Sequence, residues 1–280
     1  MGFFALNIAT CLSAQEGKIF DDLSMKSEIL NMDRKYAIYL PPDYETSLRN
    51  YPVLYLLHGG GGNQAEWVQR GEVKWITDKA IREGVSKPLI IVMPDASGAN
   101  RGYGNDVYRK WLYEDFFFKE FIPYVETTYR ISKGKMQRSV AGLSMGGNGT
   151  FTYALHHPEM FKAACPLSAG PGPLTLDIAR EFMKRTDPAL PDTLIEQWYA
   201  RQSVLELINK IPNDKKTAVR WYIDCGDDDH LPNVFEGNCL IHIAMRKKEI
   251  PHEFRIRDGG HTWEYWRSAL PEVLRFISFP

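Results

Sequence analysis

Short, solidly apolar runs alternate along the chain with longer segments in which apolar residues recur every three or four positions. Val53 to Leu57, Leu89 to Met93, Ala163 to Leu167 and Val219 to Asp224 are runs of the first kind, and Tyr36 to Leu40, Arg138 to Ala141 and Glu253 to Arg257 join them as predicted strands. Strands this short and this apolar suit a parallel sheet covered on both faces. Helical spacing predicts helices over Val73 to Glu83, with Gly84 as a stop, Asp115 to Tyr129, kinked at Pro123, Asn148 to His156, Asn238 to Lys248 and Leu270 to Ile277. Strands alternating with helices imply a doubly wound α/β layer structure, read here as one domain over residues 17–280. One stretch breaks the alternation. Gly170 to Lys216 holds no good strand, but Thr193…Glu196 and Ser203…Glu206 match the capping box ahead of apolar residues. They predict two short helices in an insertion, at about residues 170–217, lying over the carboxyl edge of the sheet.

Composition narrows the function classes. With 44% hydrophobic residues in 280, the chain can bury a sizeable core. A formal net charge of -1 leaves no field to recruit nucleic acid or an anionic membrane, so neither partner is expected. No apolar run reaches the roughly 18–20 residues needed to cross a bilayer. Cys11, Cys165, Cys225 and Cys239 form no CxxC pair, and no structural metal site is expected from them. Phe3 to Ala14 is apolar and rich in small residues, then turns polar at Gln15-Glu16-Gly17-Lys18. That pattern reads as the apolar part and cleavage end of an export signal over residues 1–16, without the usual basic start. The expectation is a secreted or periplasmic protein, against the alternative of an N-terminal arm packed on the body.

The sharpest chemical signal is Gly142-Leu143-Ser144-Met145-Gly146, a G-x-S-x-G between a predicted strand and a predicted helix. On such a strand-to-helix bend the serine stands clear of the sheet, and the helix N-terminal amides face developing negative charge. A serine hydroxyl needs a base to take its proton. Of seven histidines, His261 fits best, in Gly259-Gly260-His261-Thr262-Trp263 after the last predicted strand. The acid that orients the base should follow the strand before, which runs into Asp227-Asp228-Asp229-His230. Periodicity cannot choose among those three carboxylates, and a hard-cation site is the rival use of the run. His58-Gly59-Gly60-Gly61-Gly62 matches a loop that lends a backbone N–H to an oxyanion hole, with Gly60 as one donor and the N–H of Met145 as the other. No cofactor or metal is called for.

Taken together, these pieces resemble the esterase D-like α/β-hydrolases, and within them the feruloyl and acetylxylan esterases of carbohydrate esterase family one. The resemblance is carried by Leu56-Leu57-His58-Gly59-Gly60, Met93-Pro94-Asp95, Trp111 with Tyr113-Glu114-Asp115, Tyr129-Arg130, Gly142 to Gly147, Cys225-Gly226 with Asp229, and Gly259 to Trp263 with Trp266. It implies an α/β-hydrolase fold with Asp229 as the acid of the triad. It further implies hydrolysis of feruloyl or acetyl esters on plant polysaccharide such as xylan, or of small acyl esters and thioesters. Trp111, Trp263 and Trp266 are candidates to stack on sugar rings, against the plainer use of core packing. Two other readings remain open: a scaffold that binds carbohydrate without turnover, and acyl transfer to an alcohol other than water.

Overall fold

The computed structural model describes residues 16–98 and 102–280, so the leader expected over residues 1–16 lies, apart from Glu16, outside the described residues. Strands β1 (Lys18–Ser27) and β2 (Met32–Leu40) form an antiparallel hairpin at one edge. β3 (Val53–Leu57) leads through a glycine loop to α1 (Glu66–Gln69) and α2 (Val73–Arg82). β4 (Ile90–Pro94) is followed by α3 (Tyr113–Phe116), a π-turn (Phe117–Phe121) and α4 (Ile122–Thr128). Next come β5 (Arg138–Leu143), α5 (Met145–His156) and β6 (Ala163–Leu167), then α6 (Leu176–Thr186), α7 (Asp192–Gln202) and α8 (Val204–Asn209). β7 (Arg220–Gly226), α9 (Val234–Lys247), β8 (His252–Arg257) and α10 (Trp263–Ser278) complete the described chain.

The eight strands make one sheet in the order β1-β2-β4-β3-β5-β6-β7-β8, antiparallel at the first two junctions and parallel from β4 onward. Each central strand feeds both faces, because successive side chains point opposite ways. In β3, Val53, Tyr55 and Leu57 enter the core beneath α4, α5, α8 and α9, which Phe117, Phe121, Phe151 and Ile208 also fill. Leu54 and Leu56 face the other way, into the core beneath α2 and α10 with Trp67, Ile76, Trp266 and Leu270. Two buried faces explain why these strands read as unbroken apolar runs. Among the described residues no helix is long and apolar enough to cross a membrane.

The insertion differs from its expectation in detail. It holds three α-helices, not two. Ser203 caps α8 by accepting from the Glu206 N–H, as its capping box predicts. α7 starts one residue before Thr193 and takes no side-chain cap, while the unpredicted α6 is capped by Thr175. α6 and α7 share a small core of their own around Ala179, Leu190 and Ile195, and α8 packs into the main one.

Candidate active site

Ser144 sits where β5 stops and α5 begins, with φ 54° and ψ −115°. A side chain in that region is strained, and the strain persists only if neighbours hold the backbone in place. Three hydrogen bonds do so. The Ser144 N–H donates to the Leu167 carbonyl of β6 at 2.9 Å, and its own carbonyl accepts from Asn148 and Gly170. The bend also needs Gly146, because a Cβ there would lie 2.6 Å from the Leu57 carbonyl oxygen. Met145 is the first residue of α5, so its N–H has no acceptor within the helix.

His261 lies in the loop between β8 and α10, and its Nδ1 is 2.7 Å from Asp229 Oδ2. The Asp229 side chain is fully buried and its other oxygen accepts from the Leu231 N–H. A carboxylate can only accept from Nδ1, so the proton sits there and Nε2 is left as a free base. Asp227 and Asp228 are directed elsewhere. Asp227 Oδ1 accepts from the Gly259 N–H at 3.2 Å, and both carboxylates are exposed beside Asp258, within 4.8 Å of one another. The rival cation reading of the Asp227–His230 run therefore loses Asp229 to the imidazole. Trp266 meets the His261 ring edge-on at 4.9 Å and donates its indole N–H to Ser168 Oγ, which fixes the ring from the side.

The glycine loop is held by His58. Ala96 donates its N–H to His58 Nε2 at 2.9 Å, so the ring proton is on Nδ1 and goes to the Gly59 carbonyl at 2.8 Å. Burial pushes the His58 imidazole pKa down, which favours this neutral form. The Tyr103 hydroxyl accepts from the His58 N–H at 2.8 Å and closes the loop on its other side. Gly60 faces open space, and its N–H makes no hydrogen bond among the described residues.

These parts meet in one cavity of about 620 Å³, whose walls include Gly60, Ser144, His261, Trp263 and Trp266. No hydrogen bond joins Ser144 Oγ to His261 among the described residues, and such bonds commonly tighten only around a substrate. Trp111 does not reach the cavity. It is 3% exposed, stacks on Tyr113 and donates its indole N–H to the Gly102 carbonyl, so it packs the core. The insertion contributes no wall residue either. The opposite wall is built from α1, the start of α2 and the start of α10, through Glu66, Arg70, Glu72, Glu264 and Arg267. No motif in the sequence marks residues 66–72 as neighbours of residue 144, so this charged wall becomes legible only in the fold. Glu66 lies against Gly62 in the glycine loop, and burial raises its carboxyl pKa, with Arg70 at 3.7 Å pulling the other way.

A protein-family model described as "Putative esterase" matches residues 27–277. Among curated proteins, an esterase of Mycobacterium tuberculosis is 39% identical over 146 residues, 50% of this chain and 30% of that protein. An endo-1,4-beta-xylanase/feruloyl esterase of Xylanibacter ruminicola is 36% identical over 140 residues, 48% of this chain and 19% of that protein. The chain thus spans less than a third of the length of these curated relatives. Among solved structures, a ferulic acid esterase superposes with a TM-score of 0.82 at 35% identity, covering 94% of this chain and 98% of that one. The mostly parallel eight-stranded sheet with helices on both faces is the esterase form of the α/β-hydrolase fold.

Proposed function

The chain belongs to the "Putative esterase" family, and from that premise we propose that it is a serine carboxylic ester hydrolase that removes feruloyl or acetyl groups from plant polysaccharide such as xylan. The observation that carries the reading is the 2.7 Å Asp229–His261 pair, whose imidazole shares one cavity with a serine on a strained bend. In this reading His261 Nε2 takes the Ser144 proton as Oγ bonds to the ester carbonyl carbon. The N–H groups of Met145 and Gly60 stabilise the oxyanion. The tetrahedral intermediate then expels the sugar alkoxide, which leaves as the alcohol with the proton from His261. Water, deprotonated by the same imidazole, attacks the acyl-enzyme and releases the acid and free Ser144. Asp229 holds the tautomer that makes Nε2 the base and steadies the imidazolium.

The acyl group and the polymer rest on likeness: the xylanase/feruloyl esterase of Xylanibacter ruminicola and the ferulic acid esterase structure support ferulate on xylan. Export from the cell suits such a substrate, and the leader-like stretch Phe3 to Ala14 supports it. The test is a comparison of kcat/KM for methyl ferulate, acetylated xylan, 4-nitrophenyl acetate and an S-acyl glutathione. The reading expects turnover of the oxygen esters, led by methyl ferulate or acetylated xylan. A lead for the thioester would reject the polysaccharide assignment, and no turnover of any of the four would reject the hydrolase.

A further inference from the structure

Next to the catalytic cavity lies a groove of about 320 Å³ between α2 and α10, and the two share Glu72 and Arg267 as a common wall. Arg267 ties that wall together. It donates to the Arg70 carbonyl at 2.9 Å and pairs with Glu264 at 3.2 Å and Glu72 at 3.7 Å. Glu72 itself adopts φ 51°, a left-handed conformation unusual for a residue with a side chain, so the backbone is strained where the two spaces meet. Along α2 the groove is lined by Glu72, Trp75, Ile76 and Lys79, at helical spacing. Trp75 is 62% exposed, the largest apolar surface left open on this helix pair, with the Lys79 ammonium 5.4 Å from its ring centre. An indole left in water is costly, and an amphipathic ligand would relieve that cost.

We propose that this groove is a second carbohydrate subsite, which takes an unesterified pyranose of the same polymer whose acyl group enters the catalytic cavity. The chemistry fits a sugar ring. Its C–H face would lie on the Trp75 indole, while its hydroxyls meet the carboxylate of Glu72, the ammonium of Lys79, the guanidinium of Arg267 and the hydroxyl of Ser268. Ile76, Ala80, Val85 and Pro271 give the groove an apolar lining as well, so it offers a sugar ring both C–H contact and polar partners, whereas a purely ionic ligand would find both signs of charge. A volume of about 320 Å³ lies at the small end of ligand sites, about 300–1,000 Å³, and holds one ring and part of the next. The two spaces lie on either side of the wall formed by Glu72 and Arg267, so a chain that crosses that wall would reach both. The inference rests on the polysaccharide reading of the catalytic site.

Trp75→Ala and Trp75→Phe test it, with thermal melting as the control for folding. On esterified xylo-oligosaccharides of five or six sugars, Trp75→Ala is expected to lower kcat/KM roughly tenfold, mainly through KM. Trp75→Phe should recover most of that loss, and 4-nitrophenyl acetate should be hydrolysed within about twofold by all three proteins. Plain xylohexaose, followed by calorimetry, should bind the wild type and lose roughly tenfold in affinity with Trp75→Ala. Equal losses on the oligosaccharide ester and the small ester would mean a structural role and overturn the subsite. Unchanged kinetics on the oligosaccharide ester would overturn it while leaving the polysaccharide reading intact. If oligosaccharide esters are not turned over while 4-nitrophenyl acetate is, the polysaccharide reading fails and the subsite falls with it.

Discussion

At the scale of single residues, the chemistry depends on which of three adjacent carboxylates faces an imidazole 32 residues further on. The amino-acid order could not decide it, since neighbouring side chains on a turning backbone diverge. Family likeness pointed to Asp229, and the fold supplies the physical reason. Asp229 is buried against His261, Asp227 is spent on the Gly259 N–H, and Asp228 is exposed. The placement of Ser144 on a strand-to-helix bend and of His261 in the loop after the last strand was easier to read, the first from its glycine setting and the second from chain order and the glycines before it. Trp111 was not legible as core, because an aromatic residue in a loop has no periodicity to reveal its burial. Asp229→Asn should lower kcat for 4-nitrophenyl acetate by about 10³–10⁴-fold by favouring the wrong tautomer. Asp228→Asn should stay within about twofold, as an exposed change should. Similar losses in both would show that the acid had been misassigned.

Among the elements, the central parallel strands were legible almost to the residue, because burial on both faces writes an unbroken apolar run. β1 was not. It is an edge strand whose exposure alternates without a break, but the apolar Phe20 stands at an outward position and Asp21 at an inward one, so the residue types do not show the alternation. α6 was missed because Thr175 caps it without a Glu or Gln three residues on. The helix expected over residues 115–129 with a kink at Pro123 is instead α3 and α4 joined by the π-turn Phe117–Phe121, just before that proline. A wider turn there spares the proline ring a clash with the preceding carbonyl. The elbow makes the strictest demand on element packing. Gly146→Ala would press a methyl group on the Leu57 and His58 carbonyl oxygens and should cost about 1–3 kcal/mol, with activity falling as the Gly60 loop is displaced. Gly60→Ala meets no atom within 4 Å and should leave the melting temperature within about 2 °C. Equal melting temperatures for the two variants would contradict the packing described here.

For the whole molecule, the buried Glu114 is the clearest long-range tie. Its carboxylate on α3 meets His156 Nδ1 at 2.7 Å and His157 Nε2 at 3.2 Å at the end of α5, and Arg201 of the insertion at 3.5 Å. These partners stand 42 to 87 residues away, so no local pattern announces them. Burial alone would raise the Glu114 pKa, but the two histidine bonds and the nearby cations outweigh it and hold it down to about 2, below its ordinary 4.5. The unfolded chain therefore binds this proton first. The stabilisation is complete above about pH 4.5 and is lost as pH falls toward about 2. Urea unfolding should show Glu114→Gln less stable at pH 7 and shallower in its acid decline; parallel curves for the two proteins would contradict the assignment.

The mechanism requires that Ser144 carry the acyl group between alcohol and water. Its most direct measurement is intact-mass and peptide mapping of protein quenched during turnover of a 4-nitrophenyl ester. An acyl adduct on the peptide containing Ser144, absent from Ser144→Ala together with the hydrolysis, is the predicted result. An adduct on another side chain, or hydrolysis undiminished in Ser144→Ala, would contradict it.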